Sequence, residues 1–159
     1  MRKDMKLKAV EATPDSFKSY GRVFKIPHSQ PLAETQQFRY WSNIAEYTIQ
    51  GATEIGWCTV FRHAEGAVTG VERHLRTPEI LIPVDAPFIL PVMKEGDSEE
   101  NLRAFRVNVG EAIVIGDGVW HAPCIPVGKK KSSYFVIFRK GTPQEDVTKK
   151  EIREVLIEA

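Results

Sequence analysis

The feature that most constrains this chain is a series of short apolar segments in its second half, each bounded by glycine, proline, aspartate or asparagine. The clearest of them are EILIPV, APFILPVMK, LRAFRVN, EAIVI and SSYFVIFRK, at 79–84, 86–94, 102–108, 111–115 and 132–140. Segments this short that recur every ~8–12 residues are typical of β-sandwiches and β-barrels. The sequence shows no strand–helix–strand alternation, which argues against a parallel α/β sheet. We therefore predict an all-β fold.

The first half of the chain also reads mainly as strands. The segment GWCTVFRHAEG at 56–66 alternates between two faces, one with Trp57, Thr59 and Phe61, the other with Cys58, Val60 and Arg62. The segments RVFKIP at 22–27 and QFRYWSNIAEYTI at 37–49 predict further short strands, because they are rich in aromatic and β-branched residues.

Both ends of the chain carry helix signals. ATPDSFKSYG at 12–21 predicts a short N-terminal helix, with Thr13 as its cap, a proline in its first turn and Gly21 at its end. The tail at 142–159 contains a Thr-x-x-Glu capping box and predicts a C-terminal helix. Its last part, EVLIEA at 154–159, reads equally well as a final strand.

The composition is that of an ordinary globular protein, and it narrows the choice of partners. The 159 residues are 42% hydrophobic and 27% charged, which predicts a single domain over 1–159 with a barrel core at about 22–140. The net charge is +1, and the one compact basic run, KKK at 129–131, reads as a solvated hairpin tip. We therefore expect no nucleic-acid partner.

Cysteine usage and hydropathy indicate where such a protein would reside. Cys58 and Cys124 are too few for a disulfide framework and lack the spacing of zinc ligands, so they read as small core residues. No apolar run approaches the ~20 residues needed to cross a membrane. The start MRKDMKLKAV lacks the apolar middle of a signal peptide. We expect a cytoplasmic protein without a membrane partner.

Four polar residues do not fit a plain barrel: Glu72, His74, Glu79 and His121. Glu72 and His74 are two apart, so on a strand both point to the same face. Glu79 opens the next apolar segment, and His121 follows two glycines in GDGVWHAP. If these imidazole and carboxylate groups converge inside a barrel, they would form a binding site suited to Mn, Fe, Ni, Co or Zn. The alternative to a metal site is that Glu72 and His74 are exposed to solvent and that His121 is a structural histidine.

The spacing of these residues resembles the two motifs of the cupin superfamily. From Gly66, five residues lead to Glu72, then one to His74, four to Glu79 and six to Ala86. From Gly110, five residues lead to Gly116, one to Gly118 and two to His121. The cupin resemblance implies a double-stranded β-helix, or jelly-roll barrel, with one metal ion held by Glu72, His74, Glu79 and His121. Glu72 stands where the superfamily usually has a histidine.

The chain is more closely similar to ureidoglycolate lyases, a family of small cupins. The similarity covers roughly residues 7–139 and is carried by FKSYGRVF, ERH, LIPV, LRAFRVN and VWHAP, at 17–24, 72–74, 81–84, 102–108 and 119–123. The chain departs from the family pattern at Ala122, where a second histidine is common, and at Ile115–Gly116, where a Tyr-His-like pair is common. It also has Glu79 where glutamine is frequent.

The family resemblance implies a lyase that splits ureidoglycolate, or a similar α-hydroxy acid derivative, into glyoxylate and urea. It implies a small-molecule carboxylate substrate, a homodimer and a divalent cofactor such as Ni, Mn, Fe or Zn. Glu72 or Glu79 would be the catalytic group that carries the proton. Arg62 is a candidate clamp for the substrate carboxylate, with a surface role as the alternative. Trp120 would wall the substrate pocket or pack in the core.

Two other functions stay open on the sequence. One is a cupin enzyme of a different reaction type, such as an isomerase or a dioxygenase acting on a small acid or sugar. The other is a cupin that binds a small ligand without catalysis. The departures at Ala122, Gly116 and Glu79 motivate both alternatives.

Overall fold

A computed structural model describes residues 5–63 and 66–159. Within this part of the chain, β1 to β15 are Met5–Lys8, Val10–Glu11, Gly21–Phe24, Ala33–Glu34, Arg39–Tyr40, Thr53–Phe61, Ala67–Arg73, Glu79–Pro83, Phe88–Met93, Arg103–Val107, Ala112–Ile115, Trp120–His121, Ile125–Pro126, Lys131–Arg139 and Thr148–Glu158. A four-residue helix, α1, covers Thr142–Glu145, and a 3-10 turn covers Glu99–Asn101. Residues 1–4, at the start of the segment MRKDMKLKAV, lie outside the described residues. So do residues 64–65, in the segment 56–66.

The strands form two large sheets and one small hairpin. The first sheet has the order β1-β15-β7-β12-β9-β10-β2, with β13 also paired to β9. The second sheet has the order β3-β11-β8-β14-β6, and β4 pairs with β5 alone. Neighbours are antiparallel except for β1 with β15 and β10 with β2. Consecutive strands therefore often lie in different sheets, as a jelly-roll requires.

The main core lies between the inner faces of the two sheets. Alternate residues of β9 in the first sheet pack against alternate residues of β11 and β14 in the second; these are Phe88, Leu90, Val92, Ile113, Ile115, Tyr134, Val136 and Phe138. This period of two follows from the pleat of a strand. The predicted all-β jelly-roll barrel is confirmed.

A second apolar cluster covers the outer side of the first sheet. It contains the intervening residues of β9 together with residues of β7, β12 and β15, among them Val71, Ile89, Met93, Trp120 and Val155. Strand β9 is therefore buried on both faces, which is why its sequence FILPVM is apolar throughout.

Both predicted terminal helices differ from the structure. Residues 14–20 form consecutive turns rather than a helix, although Thr13 and Ser16 do exchange the reciprocal hydrogen bonds of a cap. At the other end, α1 is short and the alternative of a final strand is correct, since β15 covers Thr148–Glu158. Strand β15 pairs with β7 and β1. Val155 and Ile157 are buried two residues apart, so the period of a strand prevails over the capping signal.

Outside the core, the segment 37–49 is more irregular than its sequence predicts, because it contributes only the two residues of β5 to the described strands. Among the described helices, none has the length and apolar character required to cross a membrane.

Candidate metal centre

Three side chains predicted from the sequence meet inside the barrel at one end. His74 directly follows β7, Glu79 is the first residue of β8, and His121 lies on β12. Both histidines are buried, and each directs Nε2 at the same carboxylate oxygen. Oε2 of Glu79 lies 2.9 Å from Nε2 of His121 and 3.4 Å from Nε2 of His74. The two halves of the predicted motif therefore converge on one point.

Backbone carbonyls hold both imidazole rings in this orientation. Nδ1 of His74 is 2.7 Å from the carbonyl oxygen of Asp146, and Nδ1 of His121 is 3.2 Å from that of Val119. A carbonyl only accepts hydrogen bonds, so each Nδ1 carries the proton and donates it. In the neutral ring, this tautomer leaves a lone pair on Nε2, which is the usual arrangement of metal-binding histidines.

The donor atoms fit a divalent metal ion. Nε2 of His121 and Oε2 of Glu79 are close, but neither has a partner with hydrogen-bond geometry among the described residues. Buried polar atoms rarely lack such partners. Two ligand atoms that share one ion at ~2.1 Å lie roughly 3.0 to 3.4 Å apart, which is close to the distances found here. A bound cation would satisfy both orphaned atoms at once.

The electrostatics of the centre favour an ionised carboxylate. Burial opposes the charge on Glu79, but the adjacent imidazoles of His121 and His74 outweigh this effect and lower its pKa to about 2. Burial likewise opposes protonation of the two imidazoles, and the Glu79 carboxylate outweighs it and raises the pKa of both. The centre thus attracts positive charge, as a cation site must.

Loops on either side lock the centre in place. The Asp146 carboxylate accepts hydrogen bonds from the backbone N–H groups of Leu75 at 2.9 Å and Arg76 at 2.8 Å. The N–H of Gly118 donates to the carbonyl of His74 at 2.7 Å, so the second motif is bonded to the first. Gly118 has φ of +76°, a left-handed conformation that favours glycine. Sequence reasoning missed Asp146, because its partners are about seventy residues away.

Glu72, the fourth predicted ligand, does not join the three donor atoms. It lies on β7 directly opposite His121, so the two side chains share one face of the first sheet. Glu72 lines a cavity of about 630 Å³ that also reaches Val60 and Cys124. Burial lowers the pKa of His74, and the charge of Glu72 opposes this effect together with the larger contribution of Glu79, so that the pKa is raised. Glu72 is therefore a neighbour of the centre that faces open space.

Arg62 and Trp120, the two predicted substrate-binding residues, lie apart from the three donors. Arg62 follows β6 and is exposed, and it is absent from the described residues that line the cavity. Trp120 precedes His121 on β12 and points to the opposite face, into the outer apolar cluster. The guanidinium of Arg73 lies 4.5 Å from its ring centroid. The structure thus gives Trp120 a packing role, and the substrate roles of both residues stay predictions.

Comparison with known proteins gives a family match over nearly the whole chain. A family model described as ureidoglycolate lyase matches residues 4–158. Proteins named ureidoglycolate lyase from two strains of Burkholderia mallei are 34% identical over 76 residues, which is 46% of this chain and 44% of theirs. The matched part of the chain therefore spans less than half the length of these curated relatives.

Two solved structures are similar to parts of the chain. One is Peruvianin-I, a cysteine peptidase from Thevetia peruviana latex, at 14% identity and a TM-score of 0.47, covering 64% of this chain and 57% of that one. The other is oxalate decarboxylase from Bacillus subtilis, at 18% identity and a TM-score of 0.43, covering 55% of this chain and 21% of that one.

Proposed function

The chain belongs to the ureidoglycolate lyase family, and from this premise we propose that it cleaves ureidoglycolate, or a closely similar α-hydroxy acid derivative, with the help of a divalent metal ion. The observation that carries the proposal is the convergence of His74, Glu79 and His121 with two buried donor atoms left without partners among the described residues. Family membership supplies the substrate class, and the donor set supports the metal.

The reaction is an elimination at a carbon that carries a hydroxyl and a urea nitrogen. The carbon–nitrogen bond breaks and its electron pair leaves with the nitrogen. The hydroxyl loses its proton as its oxygen forms the aldehyde of glyoxylate, and the urea nitrogen gains a proton. No oxidation occurs. When bound, a divalent ion would supply Lewis-acid chemistry that makes the hydroxyl more acidic.

The two carboxylates near the centre are suited to different tasks. Glu79 is enclosed between two imidazoles and held ionised, so we assign it to ligation. Glu72 is half-buried, borders the cavity and sits beside His121. We assign to Glu72 the transfer of the proton from the substrate hydroxyl to the departing nitrogen. General acid–base help of this kind is typically worth ~10²–10⁴-fold in rate.

The test is turnover by the protein loaded separately with Ni, Mn, Fe or Zn. We expect glyoxylate and urea to appear in equal amounts from ureidoglycolate, with the activity lost in Glu79→Gln and retained in His28→Gln, a control in an exposed loop. Folded protein that shows no turnover with any of the metals would contradict the proposal. Oxygen consumption by the Fe form would instead indicate a cupin of another reaction type.

We also propose that the protein forms a homodimer through the edge of its second sheet. Strand β6 ends that sheet in the part of the chain described. Its outward row is apolar: Ile55 is 70% exposed, Trp57 is 55% exposed and Phe61 is 65% exposed. The ring of Phe135 on β14 extends the row, with its centroid 5.0 Å from that of Trp57. An antiparallel sheet that faced only water would carry polar residues here.

The exposed area is close to what an interface of two copies needs. Each of these four side chains exposes on the order of 100 Å², so two copies together bring ~800 Å² of apolar surface. Stable interfaces bury about 1,200–2,000 Å², and pairing of two β6 edges about a twofold axis would supply the remainder. Sedimentation velocity should show a dimer that Trp57→Glu converts to a monomer, whereas Val109→Glu, in the turn after β10, should not. A monomeric wild-type protein would contradict the proposal.

A further inference from the structure

A row of three charged or ionisable groups crosses the inner face of the first sheet. Strands β12, β7 and β15 are neighbours in that sheet. In their register His121 lies opposite Glu72, and Glu72 lies opposite Lys149. Residues directly opposed on neighbouring strands point to the same face, with strands ~4.8 Å apart. An imidazole, a carboxylate and an ammonium group are thereby aligned across a span of ~10 Å.

We propose that Lys149 is the specificity-determining cation that binds the carboxylate group of the substrate. This proposal rests on the proposed function, because it takes the substrate to be a small α-hydroxy acid derivative. Glu72 and Lys149 both line the cavity of about 630 Å³. Because Glu72 also lies directly opposite His121, this part of the cavity wall is adjacent to the metal centre. Lys149 is exposed, so its long side chain can turn toward a ligand.

The charges along the cavity explain why an anionic substrate needs this lysine. Glu151 lies two residues beyond Lys149, on the same face of β15, and also lines the cavity. Lys149 is therefore flanked by Glu72 and Glu151, two carboxylates that repel a substrate carboxylate. An ammonium group between them offsets part of this negative charge and offers hydrogen-bond donors to the substrate.

Lys150, the next residue, provides the matched comparison. Successive residues of a strand alternate between its faces, and the ammonium of Lys150 lies 5.5 Å from the Trp120 ring centroid, in the outer cluster. Both lysines border the cavity and carry the same charge, but the ammonium of Lys150 is directed to the Trp120 ring on the opposite face. Arg62, the clamp predicted from the sequence, is exposed and stands outside the described lining of the cavity.

The test is calorimetric binding of two probes, glycolate and its neutral amide glycolamide, to the metal-loaded protein. Loss of an ion-paired hydrogen bond weakens binding roughly 10- to 100-fold. We expect Lys149→Met to lose this factor for glycolate and to leave glycolamide unchanged, Lys149→Arg to retain most of the glycolate affinity, and Lys150→Met to behave as wild type. Melting temperature and metal content, measured on each variant, must match the wild type for the comparison to count; Lys149→Gln replaces Lys149→Met if they do not.

Other outcomes overturn the assignment. These are an unchanged glycolate affinity in the Lys149 variant, an equal loss for both probes, or a wild-type protein that does not prefer glycolate to glycolamide. Because binding is measured without turnover, the proposed function is tested separately. A protein that shows the Lys149-dependent preference for glycolate but does not cleave ureidoglycolate would refute the reaction and support the anion site.

Discussion

Asp146→Ala would remove the carboxylate that ties the loop after β7 to the segment between α1 and β15. That carboxylate accepts two backbone hydrogen bonds, from Leu75 and Arg76, while the carbonyl of the same residue holds Nδ1 of His74. The substitution keeps the carbonyl but releases the loop that leads from His74 to Glu79. We therefore expect both the stability of the protein and its metal affinity to fall.

The size of the effect follows from these two bonds. A hydrogen bond to a charged group contributes ~1.5–3 kcal/mol, and Asp146 is partly exposed, which favours the lower end of the range. We expect a loss of about 2 kcal/mol in the free energy of unfolding, or roughly 4–8 °C in melting temperature for a chain of this size. Residues that orient metal ligands typically change metal affinity about 10- to 100-fold.

The assay combines thermal unfolding of the metal-free protein with calorimetric titration of Ni or Mn. Asp146→Asn retains one acceptor oxygen and should fall between the wild type and Asp146→Ala. Asp117→Ala serves as the control, because Asp117 is an exposed carboxylate in the loop of the second motif. If Asp146→Ala bound metal as tightly as the Asp117 control, the argument that Asp146 positions His74 would be refuted.

Three further predictions concern single residues. Glu72→Gln should retain the metal yet lose ~10²–10⁴-fold in kcat, because it keeps the shape of the side chain and removes the base; metal content and turnover measured together would check this. Trp120→Phe should lower the unfolding free energy by about 1–2 kcal/mol and leave KM unchanged, because the ring packs in the outer cluster; a raised KM would indicate substrate contact instead. Asp85 accepts a hydrogen bond from the N–H of Ser133 that keeps the pKa of its carboxyl below the usual value, against the opposing effect of burial. Its stabilisation is therefore fully present above the unfolded-state pKa, so Asp85→Asn should be less stable near neutral pH. Urea unfolding should show the difference shrinking as the pH falls below about 4, toward the lower folded-state pKa.

The part of the site that sequence could predict is the part set by local spacing. His74, Glu79 and His121 stand at motif intervals within short strands and turns, and the barrel closes those intervals in space. Glu72 satisfied the same interval and shares the right face, yet its carboxylate stays outside the group of three donors. Spacing determines the face to which a side chain points, and the side-chain conformation determines whether it reaches the ion.

The contributions that sequence could not predict come from segments far apart in the chain. Asp146 and Lys149 reach the site only because β15 pairs with β7, and the tail carries both a capping box and an alternating apolar pattern. The first pattern favours a helix and the second a strand, and burial of Val155 against the outer cluster decides between them. For Trp120, alternation along β12 relative to His121 would have indicated the outward face without any structure.

The most direct test of the account is the metal content of the purified protein after exhaustive dialysis, measured by elemental analysis. We predict about one divalent first-row ion per chain in the wild type and in the His28→Gln control. The folded double variant Glu79→Gln/His121→Gln should retain none. A wild-type protein that binds no metal even after exposure to Ni, Mn, Fe and Zn, or a double variant that still holds a full complement, would contradict a metal centre at His74, Glu79 and His121.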